Sequence, residues 1–145
     1  MRIMGLDYGA KTVGIAMSDE LLLTAQPCET VFREKESRLR RTLARIETLA
    51  REGGVTKIVL GLPVHMDGSM SSRAEKTLEF KAMLERRTGL PVLLQDERLT
   101  TVEASEILTE SGIPKSEQKA YIDKIAASFI LNDYLESIRQ ERPMT

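Results

Sequence analysis

Aromatic residues and cysteine are scarce in this sequence. Its 145 residues include no tryptophan, three phenylalanines, three tyrosines and one cysteine, Cys28. So few aromatic rings leave few platforms on which unpaired bases can stack, which argues against a dedicated single-strand binding module. One cysteine excludes a disulfide or a cysteine zinc site within the chain and agrees with a reducing compartment. We expect Cys28 to be a small, buried apolar residue.

Long hydrophobic runs and a strong net charge are also missing. No window approaches about 20 apolar residues, so no membrane span is expected. A strand pattern begins at Arg2, so we expect no signal peptide and a cytoplasmic location. The net charge of −1 means that binding to a polyanion requires a local basic surface or bound metal. The length predicts a single domain over residues 1–140, with a frayed tail at 141–145.

Hydrophobic periodicity predicts the element order β-β-β-α-β-α-β-α-α. Strands are expected at 3–7, 13–17, 24–31, 57–61 and 91–95, and helices at about 39–52, 71–88, 101–110 and 119–140, with a loop at 111–118. In the second helix, Ala74, Leu78, Ala82 and either Leu84 or Glu85 are expected to face inward. Hairpins supply antiparallel strands and strand-helix-strand units supply parallel ones, which predicts an α/β fold with a mixed five-stranded sheet and helices on both faces.

Four carboxylates stand where predicted elements begin or end. Asp7 ends the first strand, Asp96 and Glu97 follow the strand at 91–95, and Asp123 lies near the start of the last helix. Because strand ends meet at one edge of an α/β sheet, Asp7, Glu97 and Asp123 can converge there. Ala126 and Ala127 (small residues just after Asp123) allow that helix to pack closely on the sheet.

Clustered carboxylates repel one another unless a cation neutralises them. Hard divalent ions such as Mg²⁺ take a few carboxylate oxygens and leave positions for phosphate oxygens. A pair of such ions about 4 Å apart can drive phosphodiester cleavage without a nucleophilic serine or cysteine. The residue pattern is therefore compatible with a metal-dependent nuclease.

Each acid also has an ordinary structural explanation. Asp7 can cap a turn, Asp96 can be a helix N-cap, and Glu97 and Asp123 can be first-turn acids that complement a helix dipole. The residues by themselves leave both explanations open.

Four sequence blocks resemble the YqgF/RuvX family. They are GLDYGAKTVGIA at 5–16, GLP and MDGS at 61–63 and 66–69, DERLTT at 96–101, and DKIAA at 123–127. Their order and spacing and the total length also agree, so the resemblance covers essentially the whole chain. The family has a ribonuclease H-like fold related to the RuvC Holliday junction resolvases. It is described as a nuclease of pre-16S ribosomal RNA and, earlier, as a Holliday junction resolvase.

The resemblance implies that Asp7, Glu97 and Asp123 are the catalytic, metal-binding residues, with Asp96 as a possible substitute or helper. It implies Mg²⁺ or Mn²⁺, two ions in number, and a nucleic-acid partner, either pre-rRNA or branched DNA. The expected function is hydrolysis in the processing of the 5′ end of pre-16S rRNA. Junction resolution in recombination and a non-catalytic ribosome assembly factor are the alternatives. Symmetric junction cleavage needs a dimer, and the sequence leaves monomer and homodimer open.

Residues around the acids have two interpretations each. Lys11 and Thr12 either contact a substrate phosphate or form a polar hairpin turn; no P-loop is present, because a strand follows instead of a helix. Gly61 and Pro63 either line the substrate groove or form a structural turn. Arg98 either holds the scissile phosphate or pairs with a neighbouring acid. A nucleotide-binding, ATPase-like module is a third functional hypothesis.

Overall fold

The computed structural model describes residues 1–63, 67, 69, 71–96 and 106–141. The described elements follow the predicted order. They are β1 (Arg2–Tyr8), β2 (Thr12–Ser18), β3 (Ala25–Phe32), α1 (Arg40–Gly53), β4 (Val55–Leu62), α2 (Ser72–Thr88), β5 (Val92–Asp96) and α3 (Lys115–Glu141). Residues 106–110 are also helical. The predicted start of that helix, 101–105, lies outside the described residues.

The five strands form one mixed sheet in the order β3-β2-β1-β4-β5. β1 pairs with β2, and β2 with β3, in antiparallel register. β4 runs parallel to β1 and to β5. The predicted mixed five-stranded sheet is therefore confirmed, and it brings the carboxyl ends of β1, β4 and β5 to the same edge.

Helices cover both faces of the sheet, and alternate residues of each strand enter different cores. One core lies under α1 and α2 and includes Met4, Leu6, Tyr8, Ile46, Phe80 and Leu84. The other lies under α3 and includes Ile3, Ala16, Val59, Ala127, Ile130, Leu131 and Leu135. Among the described helices, none is long and apolar enough to cross a membrane.

Glycines end α1 and α2 as predicted. Gly54 and Gly89 follow the two helices with φ angles of +67° and +70°, a left-handed conformation that suits residues without a Cβ. At the other end of α2, the Ser71 side chain accepts a hydrogen bond from the Ala74 amide. Local chemistry therefore defines these boundaries.

The buried face of α2 differs from the prediction. The buried residues are Ala74, Thr77, Phe80 and Leu84, whereas Leu78 is 37% exposed and Ala82 is also exposed. The stripe is rotated because Phe80 packs against Tyr8 of β1. The expected inward orientation of Ala74 and Leu84 is confirmed, and that of Leu78 and Ala82 is wrong.

The last helix begins earlier than predicted, at Lys115. The amides of Glu117 and Gln118 donate to the carbonyl oxygen of Pro114, so the proline directly precedes the first turn. Proline is well tolerated at a helix start, because the first amides have no partner within the helix. Residues 115–118 are thus helical and do not belong to the loop predicted at 111–118.

Two smaller expectations concern Cys28 and the tail. Cys28 is exposed, contrary to prediction, because β3 is an edge strand with much of its surface in solvent. Helix α3 extends to Glu141, and residues 142–145 lie outside the described part of the chain.

Candidate functional site

Asp7 lies on the face of the sheet that α3 covers. Ile3 packs in the core under α3, and a Cβ on Gly5 would contact Leu131 and Ala127 of that helix. Because side chains alternate along a strand, Asp7 points to the same face. Its side chain is half-buried at the carboxyl end of β1.

Gly14 brings Asp123 next to Asp7. Gly14 is the cross-strand partner of Asp7, and directly opposed residues project to the same face. A Cβ on Gly14 would lie 2.0 Å from the Asp123 carbonyl oxygen and 2.8 Å from the Lys124 nitrogen. The α3 backbone therefore rests directly on β2 at the position opposite Asp7. Two acidic residues that are 116 positions apart in the sequence thus lie at the same end of the sheet.

Small residues continue this close contact along the helix. A Cβ on Gly5 would lie 2.9 Å from the Ala127 carbonyl oxygen, and Ala126 and Ala127 are fully buried. The expected close packing of the alanine segment on the sheet is confirmed. Because Ala127 lies over Gly5 and Asp123 over Gly14, α3 presents Asp123 at the carboxyl end of β1.

The position of Asp123 removes one structural explanation for this acid. Asp123 follows the first residue of α3, Lys115, by eight positions, which is more than two helical turns. Helix dipole effects fade within the first turn. Asp123 therefore lies beyond the first turn of α3, and the helix dipole does not explain its half-buried location.

The other predicted acids lie elsewhere. Glu97 is outside the described residues, as is Arg98. Asp96 is exposed and lies four positions after Val92, which packs under α1 and α2; alternation therefore directs Asp96 to the face opposite Asp7. Within the described ranges, no group of three or more His, Cys, Asp or Glu side chains is arranged to hold a metal.

The predicted phosphate-contacting residues occupy the turn beside Asp7. The Gly9 amide donates to the Thr12 carbonyl oxygen at 2.7 Å, which closes the β1–β2 hairpin. Lys11 is exposed and Thr12 is half-buried. Arg33 ties this turn to the end of β3, because its amide donates to the Lys11 carbonyl oxygen at 2.8 Å and its Nη2 donates to the Gly9 carbonyl oxygen at 2.6 Å.

Gly61 and Pro63 lie at the carboxyl end of β4, on the same edge. Gly61 is buried and pairs with Gln95 of β5. The Pro63 carbonyl oxygen accepts a hydrogen bond from the Ser71 hydroxyl at 2.8 Å. Pro63 therefore has a structural role, because it links the end of β4 to the residue that caps α2.

An aromatic and cationic cluster beside Asp7 is absent from the sequence predictions. Tyr8 stacks on Phe80 with ring centroids 4.1 Å apart, and the guanidinium carbons of Arg33 and Arg73 lie 5.0 and 4.7 Å from the Tyr8 ring centroid. Burial lowers the pKa of Arg33, yet an arginine stays protonated in proteins. No local pattern could have revealed this cluster, since its four members come from three separate segments, β1, the end of β3 and α2. The role of Gly14, in contrast, is indicated by the sequence, because a glycine inside a strand often marks the close approach of another backbone.

Comparisons with known proteins cover almost the whole chain. A family model described as RuvX, Holliday junction resolvase, matches residues 1–137. A Lachnospira eligens protein named "Putative pre-16S rRNA nuclease" is 57% identical over 137 residues, which are 94% of this chain and 98% of the relative. An Agathobacter rectalis protein of the same name is 54% identical over 142 residues, 98% and 99% of the two chains.

Two solved structures of Holliday junction resolvases share this architecture. T. thermophilus RuvC in complex with a Holliday junction substrate aligns with a TM-score of 0.61 and 17% identity, over 97% of this chain and 96% of that one. The fowlpox virus Holliday junction resolvase aligns with a TM-score of 0.57 and 19% identity, over 94% and 99%. At these identities the likeness shows the fold, which is the RuvC-like, ribonuclease H-like arrangement that the sequence predicts.

Proposed function

Because this chain belongs to the RuvX family, we propose that it is a metal-dependent nuclease whose site contains Asp7, Glu97 and Asp123. The observation that carries this proposal is the contact between Gly14 and the Asp123 backbone, opposite Asp7 in the sheet. Many sequences contain acids at strand ends. Here the packing of α3 on β2 supports a shared site for two of these acids, Asp7 and Asp123.

The chemistry of these two residues fits a hard divalent cation. Both side chains are half-buried, and two neighbouring carboxylates favour a cation between them because it relieves their repulsion. Carboxylate oxygens are the ligands that Mg²⁺ and Mn²⁺ take. When bound, a pair of such ions supplies an activated water and stabilises the leaving oxygen. Asp7, Asp123 and Glu97 are the residues that would hold them.

The surrounding residues would position the substrate. Lys11 projects from the turn beside Asp7 and would contact a backbone phosphate, with the Thr12 hydroxyl close by. Gly61, which has no side chain, would allow the nucleic-acid strand to approach the end of β4, next to Pro63. Arg98 would hold the scissile phosphate with its planar guanidinium.

The substrate we propose is the 5′ region of pre-16S rRNA, because the relatives above carry that description in their names. An rRNA substrate also agrees with the cytoplasmic location expected from the sequence. A four-way DNA junction is the second candidate, since the family model is described as a Holliday junction resolvase. Resolving a junction symmetrically requires two active sites and hence a homodimer.

Cleavage of both substrates, measured in parallel with Mg²⁺ or Mn²⁺, tests the proposal. The chain should cut at least one of them. Asp133→Asn should retain full activity, since Asp133 is an exposed acid of α3, roughly 15 Å along the helix from Asp123.

Product mapping and solution mass decide between the substrates. Symmetric nicks in a junction together with a dimer mass would favour resolution over rRNA processing. A native chain that binds RNA in a salt-dependent way but cuts neither substrate with either metal would instead support a non-catalytic assembly factor, and the nuclease proposal would then be wrong. Calorimetry with ATP and Mg²⁺ should show no binding heat; a measurable heat would revive the ATPase-like hypothesis.

A further inference from the structure

A basic groove lies beyond the end of β3, beside the predicted catalytic edge. Its volume is about 600 Å³, and nine residues line it. Four of them are arginines, namely Arg33, Arg38, Arg40 and Arg41, and one, Glu34, is acidic. Arg38, Arg40 and Arg41 are exposed. The chain as a whole has a net charge of −1, so this concentration of positive charge is local and suits an anionic ligand.

The placement of two of these arginines is unfavourable for the helix that carries them. Arg40 and Arg41 are the first two residues of α1, whose first turn contains no acid and whose N-cap, Leu39, makes no side-chain hydrogen bond. A helix N-terminus carries partial positive charge and unpaired amides, so cations there are destabilising and anions stabilising. A bound phosphate would neutralise the charges of the two arginines and the partial positive charge at the start of the helix.

An exposed aromatic ring lies in the same groove. Phe32 lines it and is 64% exposed, in a chain that contains only three phenylalanines. Arginines contact the phosphates of a single nucleic-acid strand and an aromatic ring stacks on its bases, so the two together suit that ligand.

The groove is continuous with the turn beside Asp7. Phe32 is the cross-strand partner of Thr12, and β3 lies two strands away from β1, which is roughly 10 Å. Arg33 bridges the two regions through hydrogen bonds to the carbonyl oxygens of Lys11 and Gly9. This residue is 9% exposed, and its Nη1 has no hydrogen-bond partner in the described part of the chain. The charge of Arg33 thus adds to the positive potential at the base of the groove.

We propose that this groove binds the sugar-phosphate backbone of one nucleic-acid strand, a few nucleotides away from the bond that is cut. Phosphates would lie against Arg40, Arg41 and the first amides of α1, and one base would stack on Phe32. This site rests on the proposed nuclease function, which supplies the neighbouring catalytic edge. RNA and DNA strands both offer phosphates and bases to these residues, so the test includes both.

The experiment measures binding without cleavage. Fluorescein-labelled single strands of about 12 nucleotides, one RNA and one DNA, are titrated in EDTA and followed by anisotropy between about 50 and 200 mM salt. The test variant is Arg40→Ala/Arg41→Ala. The control is Arg51→Ala/Arg86→Ala, which removes the same charge from exposed arginines in the last turns of α1 and α2.

Arg40→Ala/Arg41→Ala should weaken binding at least about tenfold and reduce the slope of log affinity against log salt by about 1.4, which corresponds to two phosphate contacts. Its melting temperature should equal or exceed that of the native chain, since the lost charges oppose the helix dipole. Phe32→Leu should weaken binding by about tenfold and leave the salt slope unchanged, because stacking is lost and no charge is removed. Stronger binding of the RNA than of the DNA strand would identify RNA as the ligand, and the reverse would identify DNA.

Equal affinities and slopes for the test and control variants would overturn the groove proposal and leave the nuclease proposal standing. Native chain that binds neither strand would also overturn the groove proposal, while the cleavage assay decides the nuclease proposal. If the native chain binds both probes with the expected variant effects but cuts no substrate, the groove is supported and the catalytic assignment fails.

Discussion

The carbonyl oxygen of Asp123 lies so close to Gly14 that a Cβ on the glycine would be 2.0 Å away. The neighbour is backbone in the middle of a long helix, so it cannot rotate aside as a flexible side chain would. The identity of residue 14 therefore controls how closely α3 approaches the sheet, and hence how close Asp123 lies to Asp7.

Gly14→Ala should lower the free energy of unfolding by about 3 kcal/mol, the upper range for forcing atoms into a packed interior. Gly53→Ala is the control: its new Cβ would meet the flexible Met17 methyl group at 3.1 Å, and alanine favours a helix over glycine. That control should be neutral or stabilising. Urea unfolding measures both, and equal stability of Gly14→Ala and the native chain would contradict the described packing.

Metal binding should be detectable apart from catalysis. A ligand that binds only the folded chain stabilises it by about 2.7 kcal/mol at 100 times its dissociation constant, so Mn²⁺ should raise the melting temperature. The rise should be lost in Asp7→Asn and in Asp123→Asn and preserved in Asp133→Asn. An equal rise in all four proteins would place the ion elsewhere.

Tyr8 should contribute to stability through its ring. Tyr8→Leu removes the stacking on Phe80 and the contacts with two guanidinium groups, and should cost about 2 kcal/mol in unfolding free energy. Tyr8→Phe retains the ring and should lose far less. If the leucine and phenylalanine variants unfold at the same urea concentration, these ring contacts contribute nothing measurable.

Glu36 should make stability depend on pH in the acid range. Its carboxylate accepts hydrogen bonds from Arg73 and Lys76, and the bond from Arg73 is the main reason why the pKa of Glu36 lies below its usual 4.5. The pair's contribution is therefore present above pH 4.5 and disappears as the pH falls through the lower, folded-state pKa.

Glu36→Gln should thus be less stable than the native chain by about 1 kcal/mol at pH 7, the scale of a partly exposed ion pair. The difference should vanish in strong acid, where both proteins carry a neutral residue 36. Glu79→Gln, a change at an exposed glutamate of α2, should match the native chain throughout. A Glu36→Gln deficit that persists unchanged in acid would show that the carboxylate charge is not its source.

The sequence predicts most of the fold because its boundaries are local. Glycines at 54 and 89 stop two helices through their own backbone preferences, and alternating apolar residues identify β1 and β2. One error comes from a tertiary contact, since the stripe of α2 is set by the packing of Phe80 on a distant tyrosine. The other is local, since Pro114 directly precedes the first turn of α3 and does not lie within a loop that continues to residue 118.

The candidate site was predictable in outline for a different reason. Strand ends of an α/β sheet meet at one edge, which predicts the location of Asp7. The helix that carries Asp123 packs at the same edge because Gly14 allows close approach of its backbone. The basic groove was not predictable, since Arg33 and Arg40 acquire their significance from the hairpin turn and from the orientation of α1. Neither is visible in a linear pattern.

Consecutive side chains at the end of β1 point to opposite faces of the sheet, which has a consequence for ion binding. Asp7 points towards α3, while the next residue, Tyr8, is held on the opposite face between Phe80 and two arginines. The strand end is thus anchored from both sides before any ligand arrives. A cation at Asp7 then needs to order little backbone, so the loss of conformational entropy on binding is small. Preorganisation of this kind would allow the proposed metal site to form without a preceding folding step.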